Sequence, residues 1–206
     1  MNWYHYLSLL ALLTCLASLG YYLYRVIRAG KPQDWSQQVG DIPASVIYSF
    51  TGAMSPTKKE SAYLHMPTYT AGMVYHLGTF LAIALFFIFL TGFAQNRVLH
   101  IILASVFAIS CLCGIGILVK RMVKPSLRSL SSPDDYISNA LVTLFQAATI
   151  MMLLWPETGV AYYVSTALLL FYIPVGKLRH AVYFFAARYH LGVFFGHRNV
   201  WPPKSL

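Results

Sequence analysis

The chain alternates between long apolar runs and short charged segments. Five runs stand out, at about 6–24, 71–92, 98–119, 137–155 and 160–182. A helix needs about 20 mostly apolar residues to cross the hydrocarbon core of a bilayer. The purest run, Ala71–Gly92, has 22 residues and no Lys, Arg, Asp or Glu. The pattern predicts an all-α integral membrane protein, a bundle of five transmembrane helices forming one membrane domain over residues 1–206. Pro125 cannot continue a helix, and Ser131-Ser132-Pro133-Asp134-Asp135 predicts an N-terminal cap for the fourth span. The connections Phe93–Arg97 and Pro156–Thr158 are short, which predicts antiparallel neighbours packed side by side.

Charge then orients the spans. Arg25 and Arg28 follow the first run, and Lys31, Lys58 and Lys59 lie in the loop 29–69. Lys120, Arg121, Lys124 and Arg128 follow the third span, and Lys177, Arg179, Arg188, Arg198 and Lys204 lie at or beyond the end of the fifth. With only Arg97 on the opposite side, fourteen of the fifteen basic residues share one face. The positive-inside rule makes that face cytoplasmic. The expectation is a multi-pass protein of the cytoplasmic (inner) membrane, N-terminus outside and C-terminus inside. Met1–Tyr24 has no Lys or Arg and the positive residues follow it, unlike a cleavable signal peptide, which begins with positive charge.

Composition agrees. Of 206 residues, 58% are hydrophobic and only 10% charged, and the mean hydropathy is +0.59; soluble domains are nearer one quarter charged. The net charge of +9 does not point to nucleic acid, because no basic stripe lies on a soluble domain. Cys15, Cys111 and Cys113 lie within apolar runs and read as small packing residues. The loop 29–69 is long enough to be functional. Within it Ala44–Met54 predicts an amphipathic surface helix, and the loop offers a docking face for a soluble partner. The aromatic, basic segment 183–206 predicts a helix leaving the membrane along its inner surface.

An ionisable group inside a span is a functional candidate by default. His76 lies one to two turns into the second span and His180 near the cytoplasmic end of the fifth, at similar depth. Two imidazoles so placed suit axial ligation of a haem. They equally suit interfacial or hydrogen-bonded roles. Gly72 and Gly78 would let a flat macrocycle approach, or serve ordinary helix packing. His5 and His100 lie near the outer surface and His65, His190 and His197 near the inner one. The spans contain no deep carboxylate, which argues against a proton-coupled or metal transporter.

Four stretches resemble one family in register: VYHLG around His76, LCGIGILVKRMVKPSLR (Leu112–Arg128), Asp134–Gln146, and FYIPVGKLRH ending at His180. Over about Ala71–Tyr189 the chain resembles the haem-b gamma subunit of respiratory nitrate reductase. It also resembles the cytochrome b subunits of heterodisulfide reductase and of sulfite-reduction-associated complexes; SFTGAMSPTKKESAYLHMPTY before the second span is closer to that branch. The resemblance implies that His76 and His180 bind the inner haem. The family's outer haem ligands fall at Phe86 and Tyr162, which implies one haem b rather than two.

The expected function is a haem-b membrane subunit, not catalytic alone. It relays electrons between menaquinone or another quinone and a cytoplasmic iron–sulfur partner that it anchors. Candidates to pair with haem propionates are Arg179, Lys177 and Arg121, whose alternative is plain membrane anchoring. Candidate quinone contacts are His65, Tyr69, Tyr75 and Lys59, or Tyr162 and Gln146 if the outer half holds the quinone. The competing reading is a non-redox membrane anchor or small transporter with incidental histidines.

Overall fold

The computed structural model describes residues 1–30, 34–58, 60–92 and 96–203. Among the described residues there is no strand. In chain order the helices are α1 (Trp3–Arg28), α2 (Ile42–Phe50), α3 (Glu60–Tyr63), α4 (Met66–Leu90), α5 (Arg97–Val123), α6 (Pro125–Arg128), α7 (Pro133–Leu154), α8 (Gly159–Tyr172) and α9 (His180–His197). Helices α1, α4, α5 and α7 are each long and apolar enough to cross a membrane, and α8 with α9 makes a fifth if counted as one broken span. The protein is a multi-pass helical membrane protein.

Local chemistry sets the helix ends. Gly30, at φ +76, closes α1 in the left-handed conformation, and Ala29 N–H donates to Arg25 O at 2.9 Å. Glycine is the default residue there because it carries no Cβ. Pro67 sits in the first turn of α4, where a missing N–H costs little, so the helix starts at Met66 rather than Ala71. Asn96 caps α5 by accepting from Val98 N–H at 2.9 Å. Pro125 holds Lys124 extended (ψ 114) and ends α5. As expected from the serine–aspartate run, Asp135 accepts from Ser132 N–H at 2.9 Å at the start of α7.

The fifth span differs from expectation. Val160–Val182 is not one helix: α8 stops at Tyr172 and α9 starts at His180. Pro174 has no N–H to continue the ladder. Val175 and Gly176 instead donate to Tyr172 O at 3.1 and 2.8 Å. A Cβ on Gly176 would lie 2.4 Å from the Tyr172 ring, so this turn needs a glycine. At 14 residues, α8 alone is shorter than the roughly 20 needed to cross.

The chain divides into two compact units, residues 1–16 with 67–178 and residues 17–66 with 179–206. In the first, α4, α5, α7 and α8 pack around Phe86, Phe107, Phe145 and Tyr162, and the first half of α1 stacks Tyr4 on Tyr163 at 5.6 Å. Its polarity is inverted relative to a soluble domain. Ser110, Gln146 and Thr149 are at most 1% exposed, whereas Leu77, Phe80 and Leu112 are 62–68% exposed. Such an arrangement suits a hydrocarbon solvent, in which polar groups must find partners inside the protein.

In the second unit α2 and α9 run antiparallel across small residues. A Cβ on Gly192 would lie 2.6 Å from Val46 Cα, and one on Gly196 would lie 2.6 Å from Ser45 Cβ. Ser49 O–H donates to Arg188 O at 2.6 Å. A helix is present over the expected Ala44–Met54 segment, as α2 followed by a 3-10 turn at Gly52–Met54. Its buried face is serine, while Ile47 is 65% exposed. Beyond α9, Arg198 pairs with Asp34 at 2.8 Å.

Candidate functional site

Helix α4 presents two faces. One packs inside the first unit: Tyr75 O–H donates to Asn139 O at 2.9 Å and its hydroxyl lies 2.8 Å from Thr143 Oγ1. Gln146 Nε2 donates to Thr79 Oγ1 at 2.8 Å and to Tyr75 O at 3.2 Å. Gly78 lies against Ser110, whose Oγ would be 2.1 Å from a Cβ there. Gly78 therefore serves helix packing.

The other face holds Tyr69, Gly72, His76 and Phe80, at the 3–4 residue spacing of one helical stripe. His76 is exposed and meets Phe80 edge-on at 6.4 Å between ring centres. One turn before it, a Cβ on Gly72 would meet nothing within 4 Å. The two glycines weighed together in the sequence thus separate into a packing glycine and an open one.

His180, the first residue of α9, is also exposed. It belongs to the second unit and His76 to the first. Two of the proposed propionate partners converge on one carboxylate: Lys177 Nζ lies 2.6 Å and Arg121 Nη1 3.4 Å from Asp135 Oδ1. Arg121 also donates to Ser131 Oγ at 3.0 Å, and Tyr172 O–H donates to the neighbouring Asp134. Asp134 and Asp135 thus gather Arg121, Lys177 and Tyr172 into one polar cluster at this end of the unit. Arg179 is exposed and belongs to the second unit.

The candidate quinone contacts fall into separate environments. Tyr75 and Gln146 are brought together, but inside the helix packing, with Gln146 fully buried. Tyr162 is equally buried, stacked on Phe145 at 6.1 Å and edge-on to Phe89 at 5.5 Å. Tyr69 is half-buried on the His76 stripe, and His65 is exposed in the second unit. Lys59 lies outside the described residues.

The outer histidines have local roles. His100 Nδ1 lies 3.1 Å from Leu153 O; a carbonyl only accepts, so Nδ1 carries the proton. His5 packs on Tyr163 at 4.3 Å and accepts from Asn2 N–H at Nδ1. Cys15 and Cys111 are buried and Cys113 half-buried, all as free thiols. Among the described residues no group of three or more His, Cys, Asp or Glu could hold a metal ion.

Sequence reasoning missed Asp135 as the hub of the basic cluster and missed the α2–α9 contact. Both had a signal: an acidic N3 residue in a capping box, and the pairs Ser45/Ser49 and Gly192/Gly196, each spaced by four. Comparison with protein-family models, with curated proteins and with solved structures finds no match to this chain.

Proposed function

We propose that the chain is the haem-b membrane subunit of a respiratory oxidoreductase complex in the cytoplasmic membrane. It resembles the nitrate reductase gamma subunit and heterodisulfide-reductase-like cytochromes, and it relays electrons between quinone and a cytoplasmic iron–sulfur partner. The observation that carries the reading is His76. Its imidazole is turned out of the polar interior of its own unit and stands one turn from the open Gly72. An ionisable ring within a membrane helix is a functional candidate by default.

The axial nitrogens would come from His76 and His180, each in the neutral state that ligation requires. Haem b would supply the one-electron chemistry. Gly72 adds no side chain beside His76, and Phe80 stands edge-on to the imidazole. Arg179 remains a propionate partner by position, and Asp135 holds Arg121 and Lys177 together at the same basic end. For the quinone headgroup, Tyr69 is favoured over Tyr75, Gln146 and Tyr162, because it shares the His76 stripe and the others are enclosed. The iron–sulfur partner would dock on the basic segments 29–69 and 183–206.

The test is spectroscopic. Purified protein should show a Soret band and a sharp b-type α band on dithionite reduction, at one haem per chain. His76→Ala and His180→Ala should each abolish the low-spin spectrum. Gly72→Leu should retain helicity and lose haem. A colourless, well-folded preparation overturns the proposal, as does a His76→Ala variant with full haem.

A further inference from the structure

A groove in the first unit lies between α4 and α5 and has a volume of about 450 Å³, within the range of small-molecule sites, about 300–1,000 Å³. Its walls are apolar, with Ala71 on α4 and Leu112 and Ile117 on α5. Its depth comes from Gly116, where a Cβ would meet nothing within 4 Å. Polar character is confined to one end, where Lys120 donates to Thr68 Oγ1. No acidic residue lines it.

Length and charge together identify the occupant. The groove follows α5 from Ile109 to Lys120, a rise of about 16 Å at ~1.5 Å per residue. That is about half of a ~30 Å hydrocarbon core, the depth of one leaflet. Lys120 lies in the last turn of α5 and Thr68 in the first turn of α4, so the cation sits at the headgroup end. The positive-inside rule assigns that end to the leaflet rich in anionic lipid. A quinone headgroup is neutral and would leave the ammonium without its complement.

We infer that this groove is a site for one anionic diacyl phospholipid, with its phosphate on Lys120 and Thr68 and one acyl chain along Gly116. The site is independent of the haem reading and would be present in a protein without haem. Occupancy would brace α4 against α5 on the side of α4 away from the His76 stripe.

The test uses the full chain in nanodiscs of mixed phosphatidylglycerol and phosphatidylcholine, released gently and weighed by native mass spectrometry. One phosphatidylglycerol should be retained per chain, preferred over phosphatidylcholine by roughly fivefold, the weight of one interfacial cation. Lys120→Gln should bring that preference to about one, and high salt should weaken it. Gly116→Leu, whose Cβ would meet nothing within 4 Å, should remove the retained lipid of either kind while helicity is unchanged. Equal retention of the two lipids by the native chain overturns the inference. So does undiminished selectivity in Lys120→Gln, retained lipid in folded Gly116→Leu, or displacement of the phospholipid by an isoprenoid quinone.

Discussion

The contact between Gly78 and Ser110 sets how closely α4 approaches α5, and a double-mutant cycle can isolate it. A Cβ at position 78 would lie 2.1 Å from Ser110 Oγ and 2.5 Å from Ser110 Cβ. The hydroxyl could rotate away, but the Cβ could not, so the helices must part or one must shift. Such overpacking costs about 1–3 kcal/mol. Alanine returns about 1 kcal/mol of helix propensity over glycine. Gly78→Ala alone should therefore destabilise by about 1 kcal/mol. Ser110→Gly loses about 0.5 kcal/mol of propensity. It also loses hydroxyl bonds to Val74 O and Tyr75 O that are long, 3.3 and 3.5 Å. An interhelical bond in a membrane protein averages about 0.6 kcal/mol, so this variant too should cost about 1 kcal/mol.

The double variant has no clash. Only the propensity terms and the weak bonds remain, and they nearly cancel, so its stability should return to within about 0.5 kcal/mol of the native chain. The coupling energy should then be about 2 kcal/mol in favour of the pair, equal to the clash removed. Reversible unfolding in mixed micelles, titrated with denaturing detergent and followed by far-UV circular dichroism, measures all four corners. Additive effects, with a coupling below about 0.5 kcal/mol, would show that α4 and α5 are not in contact at this register.

Further outcomes follow from the same geometry. Gly192→Ala places a Cβ 2.6 Å from a backbone atom, Val46 Cα, which cannot rotate away. It should cost about 2–3 kcal/mol and speed hydrogen exchange in α2, whereas Gly20→Ala, with nothing within 4 Å, should be neutral or gain up to about 1 kcal/mol. Gln146→Leu gives up two interhelical bonds but also a buried carbonyl oxygen that has no partner. Its net effect on unfolding should stay below about 1 kcal/mol, and a loss above twice that would contradict the packing described. Asp34 has its carboxyl held down at about 2 by the Ser36 hydroxyl and N–H, aided by Arg198. A lowered native pKa stabilises the fold above the unfolded value, and that contribution is lost as pH falls through about 2. A carboxyl carbon titration should show Asp34 still ionised at pH 3 in the native chain and not after Ser36→Ala with Arg198→Gln.

The parts of the fold that were legible in the sequence are those set by neighbours along the chain. Apolar run length located α1, α4, α5 and α7, and Pro125 and the Ser132–Asp135 pair marked real ends. The break after Tyr172 was hidden because its flanks are as apolar as any span. Pro174 and Gly176 were visible, but hydropathy averages over them, and only the turn that buries Gly176 against the Tyr172 ring shows that the helix stops. Among site residues, depth along the helix could be counted and facing could not. Tyr75 and His76 are adjacent in sequence, yet one is 7% exposed and the other lies on the open stripe. The capping box marks Asp135, but it does not say that Arg121 and Lys177, from two other segments, will converge on it.

Phe86 and Tyr162 bear most directly on the number of haems under the proposed function. Phe86 is 2% exposed and Tyr162 fully buried. Tyr162 meets Tyr163 at 5.1 Å, and Phe86 meets Tyr163 at 6.3 Å. With Phe89 and Phe145 these rings fill the middle of the first unit. A ring of this kind buries roughly 150–250 Å², so displacing several to seat a macrocycle would remove much of what holds α4, α7 and α8 together. The difference from a two-haem cytochrome is then more than two missing imidazoles, because the space between the positions is occupied by packed side chains. Under the proposed function, a protein built this way would keep its single redox group away from these packed rings, toward the start of α4 where His76 lies. Quinone would have to reach that same end, which is the physical reason to look for its headgroup near Tyr69 and His76 rather than at Tyr162.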